Sequence, residues 1–242
     1  MMLVPGLAAA QANEVSDNQW RHQLGIGTNF STGNSENSSV SLATDSVRRS
    51  AVDKLDFYSK VEISRADGAT TGEVGRLGAR YQREINRRGV YGFGQAEALR
   101  DTGAKIQSRY TFGNGGGIHL IRSEDRRFDL FSGFGYAQDR FTEPNEVAGS
   151  LRSRYSRFEL LMGMESFHRF TPNTTFKQRL VAYRNLTTEG LYRGELDMSL
   201  SVGINKKLSI STNLSVRYNT DPGPDLDRTD VSFVTALTYK TN

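Results

Sequence analysis

Cysteine is absent from the 242-residue chain, which removes disulfides and thiolate metal sites. Proline occurs only five times and tryptophan once. Long hydrophobic runs are also missing. No uncharged apolar stretch approaches the ~20 residues a membrane helix needs, so a helical membrane protein is excluded. Charge of a single sign is lacking too, because 31 Lys and Arg are interspersed among 27 Asp and Glu, for a net +4. That balance offers no basic stripe for nucleic acid. Hydrophobic residues, at 36%, are few for a chain that must fill a large water-excluded core. Glycine (24 residues) and aromatics (10%) are well represented, a mixture suited to strands and turns.

The N-terminus carries the one targeting signal. "LVPGLAAAQA" is apolar and ends in Ala10-Gln11-Ala12, a small-x-small pattern just before Asn13. Residues 1–12 therefore read as the remnant of a secretory signal peptide, residues 13–19 as a short periplasmic segment, and residues 20–242 as one β domain.

From Trp20 onward the dominant period is two. Leu208, Ile210, Thr212, Leu214, Val216 and Tyr218 alternate with Ser209, Ser211, Asn213, Ser215, Arg217 and Asn219, a strand with one apolar and one polar face. Leu196 to Ile204, Leu55 to Ile63 and Phe128 to Tyr136 repeat the pattern. Tight links fall near Ser50 to Asp53, Asn86 to Gly89, Ser123 to Arg126, Phe170 to Asn173 and Asn205 to Lys207. Longer polar links fall between them, around Thr32 to Glu36, Ala66 to Gly72, Asp101 to Lys105, Thr142 to Ser153, Leu186 to Gly190 and Thr220 to Arg228. This alternation predicts an all-β fold, a single closed antiparallel up-and-down transmembrane β-barrel of about 12 strands, with both termini on the short-turn side. The last strand, Val231 to Lys240, would pair with the first, Trp20 to Phe30, and abolish both edges.

Alternation alone does not say which face points inward, so a soluble periplasmic β-sandwich or lipocalin-like barrel is the alternative. Arg76, Arg80, Arg109, Arg157, Glu159, Glu165, Arg193, Glu195, Asp197 and Arg217 lie mid-strand on the polar rows. Against lipid each Arg would cost ~2–4 kcal/mol at mid-depth, whereas in a polar lumen opposite signs can pair. These ten are the expected lumen-lining charges. Aromatics near strand ends (Trp20, Phe30, Tyr183, Tyr218, Tyr239) fit a membrane interface.

With these stretches in hand, the chain resembles the YdiY-like salt-induced outer-membrane protein family, a domain of unknown function. The resemblance rests on "WRHQLGIGTNFSTGNSENSSVSLATD", on "FGNGGGIHL", and on the closing "VRYNTDPGPDLDRTDVSFVTALTYK". It implies a barrel of the bacterial outer membrane, with outer-membrane lipids, lipopolysaccharide and the barrel-assembly machinery as partners. One departure stands out: such barrels usually finish on an aromatic residue, whereas here Tyr239 is followed by Lys240, Thr241 and Asn242.

Other motifs are weaker. "GNGGG" at Gly113 to Gly117 lacks the following helix and Lys-Ser/Thr of a phosphate loop and reads as a bend or bulge. His22, His119 and His168 have no metal-ligand spacing. Asp221, Asp225, Asp227 and Asp230 crowd one loop that could hold a divalent ion or bridge lipopolysaccharide, yet it lacks the ligand order of an EF-hand, and a solvated acidic loop is the plainer reading. No Ser, His and acid can be singled out as catalytic, and no cofactor is expected. The functional expectation is a barrel of narrow polar lumen with a passive small-solute or ion channel role or an envelope-structural one. The alternatives are a barrel enzyme or an adhesin-like surface protein.

Overall fold

The computed structural model describes residues 17–32, 37–66, 69–224 and 227–241. The signal remnant and residues 13–16 lie outside them. The strands are β1 (Trp20–Thr32), β2 (Asn37–Arg49), β3 (Asp53–Ala66), β4 (Ala69–Glu84), β5 (Val90–Asp101), β6 (Ile106–Arg122), β7 (Arg126–Val147), β8 (Ser150–Thr171), β9 (Thr174–Asn185), β10 (Tyr192–Gly203), β11 (Leu208–Asn219) and β12 (Thr229–Thr241). Each pairs antiparallel with its neighbours in sequence, and the ring is closed by β1 and β12. Their register runs from His22 opposite Thr241 to Thr32 opposite Val231. No described helix is long and apolar enough to cross a membrane.

Side-chain oxygens shape the tight turns. Ser50 Oγ accepts from the amides of Val52 and Asp53 at 3.2 and 3.0 Å. Asn86 Oδ1 accepts from Arg88 N, and Asn205 Oδ1 accepts from Lys207 N and Leu208 N. Such bonds substitute for the next ladder rung and reverse the chain in a few residues.

At the other rim two expected long links are not long. Only residues 67–68 separate β3 from β4, and only 148–149 separate β7 from β8. The polar stretch read as a loop from Thr142 to Ser153 continues as a hairpin. Its pairing slips between Arg140 and Asn145, and this irregularity bends the ladder. Beyond it Phe141 and Val147 pack with Ile106 and Tyr155 in a buried cluster, so apolar burial holds the tip against the rim.

The interior is only partly polar. Tyr91, Phe93, Phe131, Leu161, Val181 and Tyr183 form a buried cluster inside the barrel, with the Phe93 and Phe131 rings edge to face at 5.8 Å. Tyr183, expected at an interface, is one of these interior rings. Room for them comes from the glycine run. Gly113, Gly115 and Gly117 face inward opposite Gln95, Phe93 and Tyr91, and the ladder through them is unbroken, so the motif is neither bend nor bulge. A Cβ on Gly117 would overlap the Tyr91 ring and stand 2.8 Å from the Leu130 carbonyl oxygen. Gly117→Ala is therefore expected to cost ~1–3 kcal/mol, read as a lowered urea midpoint of the folded barrel.

The outer surface is apolar between polar margins, most clearly on the long β7–β8 pair. Its outward rungs, from the short-turn end, are Arg126/His168, Phe128/Ser166, Leu130/Met164, Ser132/Met162, Phe134/Leu160, Tyr136/Phe158, Gln138/Ser156 and Arg140/Arg154. From the Phe128 rung to the Tyr136 rung is ~27 Å along the strand at ~3.3 Å per residue. At a tilt near 40° that is about 20 Å along the axis, comparable with the ~25 Å apolar band of outer-membrane barrels. Trp20 and Phe57 pair at the short-turn margin, as Tyr136 and Phe158 do at the other.

Candidate functional site: the charged lumen

Because side chains alternate, the polar rows of successive strands meet inside the closed ring. One ion-pair chain crosses β6, β7, β8 and β10. Arg109 Nε donates to Asp139 Oδ1 at 2.5 Å, Arg157 Nη1 to Asp139 Oδ2 at 2.8 Å, and Arg157 Nε to Glu159 Oε1 at 2.8 Å. Arg193 Nη2 then reaches both Glu159 oxygens at 2.8 Å. A second group bridges distant walls: Arg80 on β4 and Arg179 on β9 both bind Glu165 on β8, at 2.8 and 3.0 Å. The Arg80 guanidinium also lies 4.7 Å over the Phe93 ring. Smaller pairs are Arg217 with Asp197 at 2.6 Å, Lys60 with Glu62 at 2.5 Å, and Arg76 with Glu97 at 3.6 Å.

These side chains leave two chambers. One of ≈ 440 Å³ lies toward the long-loop rim and is lined by Asp101, Asn145, Tyr155 and Asp221 among others. The other, of ≈ 190 Å³, lies deeper and is lined by Tyr58, Arg76, Arg80, Glu97, Glu165 and Arg179 among others. Arg109, Tyr183, Arg193 and Glu195 line both, so two guanidiniums, a carboxylate and a phenol stand between the chambers. Above them the mouth is braced: Asp221 Oδ2 accepts from Ala148 N at 2.7 Å, tying the last loop to the β7–β8 hairpin. Tyr155 Oη bonds Thr188 Oγ1 at 3.0 Å and accepts from Asn185 Nδ2 at 2.6 Å.

All ten charges expected in the lumen stand on the inward rows, where the structure brings them into three groups. The first joins Arg109, Arg157, Glu159, Arg193 and Glu195, the second Arg80 with Glu165, and the third Asp197 with Arg217. Arg76 stands apart with Glu97. Arg193 is held mainly by Glu159, and its approach to Glu195 is only 4.0 Å. Lys60, Glu62, Glu97, Asp139 and Arg179 complete these networks: Lys60 and Glu62 lie on the polar row opposite Leu55 to Ile63, outside the ten expected lumen charges, and the other three have no such row to mark them. Of the acidic loop, Asp221 is engaged with Ala148, Asp230 stands across from Arg217 in the ladder, Asp227 is exposed, and Asp225 lies outside the described residues. Among the described residues no group of three or more His, Asp or Glu could hold a metal ion. His119 bonds Asp129 at 2.7 Å and Glu84 at 3.0 Å. His22 Nδ1 lies 2.8 Å from Ser46 Oγ on the outer face, and among the described residues no carboxylate bonds that imidazole. At the N-terminal edge Arg21 bonds both oxygens of Asp17, at 3.1 and 2.7 Å, and holds that carboxyl below its ordinary pKa.

Over residues 24–241 the sequence matches the family described as "Protein of unknown function, DUF481". The chain belongs to this family. No curated protein matches the DUF481 chain. Among solved structures it is similar to the NanC porin, with 9% identity over 90% of this chain and 100% of that one and a TM-score of 0.61. An outer-membrane channel from Pseudomonas putida F1 gives 10% identity over 99% and 100% of the two chains, TM-score 0.54. The translocator domain of the autotransporter NalP from Neisseria meningitidis gives 11% identity over 94% and 89%, TM-score 0.54. At such identities the likeness is one of fold, and the function of the DUF481 barrel has to be argued from its own side chains.

Proposed function

We propose that this chain is a bacterial outer-membrane barrel whose narrow polar lumen passes small solutes or ions passively. The observation that carries the reading is the pair of interior chambers, each lined by charged side chains, with Arg109, Tyr183, Arg193 and Glu195 between them. The apolar outward rungs support a bilayer around it, since in water Ile26, Phe134 and Met162, each 58% exposed or more, would belong to a large exposed apolar surface. The role is non-enzymatic. Its surroundings would be outer-membrane lipids and lipopolysaccharide, with the barrel-assembly machinery acting during biogenesis. Preceded by a full signal peptide, the protein should fractionate with outer membranes and migrate faster on gels unheated than boiled. Recovery in the soluble periplasm would overturn the membrane location and leave a soluble barrel, since the closed ring already rules out the sandwich alternative.

The channel is tested between the chambers. Glu195 stands in the combined field of Arg217, Arg193, Arg76 and Arg179. Glu195→Ala is expected to raise single-channel conductance and shift selectivity toward anions, and Arg193→Ala to raise it and shift selectivity toward cations. Planar bilayers at low salt, where screening is weakest, give the comparison. Absence of conductance in the wild type and both variants would reject the channel. An envelope-structural role would then stand, a reading the buried aromatic cluster inside the barrel favours.

A further inference from the structure

The outward rungs of β7 and β8 change character in order toward the long-loop rim. An apolar pair, Phe134/Leu160, is followed by the ring pair Tyr136/Phe158, whose centroids are 5.2 Å apart. Next comes Gln138/Ser156, in which Gln138 Nε2 donates to Ser156 Oγ at 3.0 Å and to Tyr136 Oη at 3.1 Å. The next rung is Arg140 directly across from Arg154. Both are exposed, and among the described residues neither side chain has a hydrogen bond or ion pair. Arg100 on β5, exposed and equally free, faces the same way one strand beyond β6, ~10 Å across at ~4.8 Å per strand. The intervening outward neighbour is Ser108, paired in register with Arg140, and no carboxylate shares these rungs.

Like charges directly opposed on one face of an antiparallel pair destabilise it. Arginine tolerates such a position where an anion bridges two guanidiniums, and its planar fork matches phosphate oxygens in pairs. The depth is appropriate, because the arginines follow the aromatic and amide rungs in the sequence hydrocarbon, interface, headgroup. We propose that Arg140 and Arg154, with Arg100 beside them, form a binding site for a phosphate-bearing lipid headgroup in the leaflet on the long-loop side. The site rests on the membrane reading above but concerns the outer wall, not the lumen.

The test uses the full chain folded in neutral detergent micelles, so it does not depend on insertion into vesicles. Phosphatidic acid, a lipid phosphomonoester, is added and retained lipid is counted by native mass spectrometry, with phosphatidylcholine and inorganic phosphate in parallel. Wild type should retain phosphatidic acid over phosphatidylcholine, and the Arg140→Ala/Arg154→Ala double variant should retain about tenfold less or lower still, as loss of charge-assisted hydrogen bonds implies. Arg83→Ala, an outward arginine at the short-turn end, should match wild type. A thermal scan supplies a second signature. Without the lipid the double variant should unfold at or above the wild-type temperature, because a repulsion is gone, and with phosphatidic acid only wild type and Arg83→Ala should gain. Equal retention by wild type and double variant, or an equal loss in Arg83→Ala, overturns the site. Competition by inorganic phosphate at equal concentration overturns the lipid in favour of the free ion. Failure to enter vesicles while phosphatidic acid is retained selectively would count against the membrane reading alone.

Discussion

Replacing Glu159 with alanine should lower the stability of the folded barrel by ~3–5 kcal/mol, the range for removing one partner of a buried ion pair. Glu159 is 2% exposed. It accepts from Arg157 Nε and from Arg193 through both Nε and Nη2. Without it two guanidiniums remain inside the ring, one bound to Asp139 and the other 4.0 Å from Glu195. Water entering the vacated space can recover only part of the lost solvation, and it would widen the passage at the same time. A falling urea midpoint with a rising conductance is the expected pairing. Glu159→Gln, which keeps the volume and one acceptor, should lose less of both. An unchanged midpoint in Glu159→Ala would mean that the chain of pairs from Arg109 to Arg193 contributes nothing to stability.

Arginine at Phe134 should keep the barrel from folding into bilayers, while arginine at Thr111 should not. Phe134 stands on an outward rung mid-way along β7 and is 62% exposed, so the substituted charge meets hydrocarbon at ~2–4 kcal/mol. Thr111 faces inward beside the deeper chamber, across from Glu97 in the register, where a new cation finds a carboxylate. Folding yield into vesicles, scored by the heat-modifiable gel shift, separates the two. Reversed yields would mean that the inner and outer faces have been exchanged, and equal yields that neither face meets hydrocarbon.

How far the sequence could be read depended on side-chain size as much as on polarity. In β11 the inner row is Ser209, Ser211, Asn213, Ser215 and Arg217, against Leu, Ile and Val outside, so a period of two assigns both faces at once. Across β5 and β6 the same rule fails, and in β7 it marks the outer row from Phe128 to Tyr136 without a polar row inside. Tyr91 and Phe93 point inward while Gly92, Gly94 and Ala96 point outward, because the barrel needs bulk inside where it faces the glycines of β6. Asp139 was hidden for that reason. Its row in β7 is Phe131, Gly133, Gly135 and Ala137, opposite Phe134 and Tyr136, and neither row announces a lumen. Arg179 was masked similarly in β9, where Arg184 on the outer row balances it. The β7–β8 hairpin looks like a loop in the sequence because Thr142 to Ser153 is polar and contains Pro144. Two strands pairing beyond the rim keep no hydrophobic stripe to mark them, and their contacts depend on Ile106 and Tyr155 from elsewhere in the chain.

The seam between β1 and β12 carries a kinetic consequence. Every other pairing joins strands adjacent in sequence, so eleven of the twelve interfaces can form as local hairpins with little chain entropy to overcome. The twelfth, from His22 opposite Thr241 to Thr32 opposite Val231, unites opposite ends of the chain. Until it forms, both edges offer unpaired amides and carbonyls to any passing strand. The order of events in folding is thereby constrained, with zippering around the ring first and closure last, and the interval before closure is when this chain is most open to aggregation.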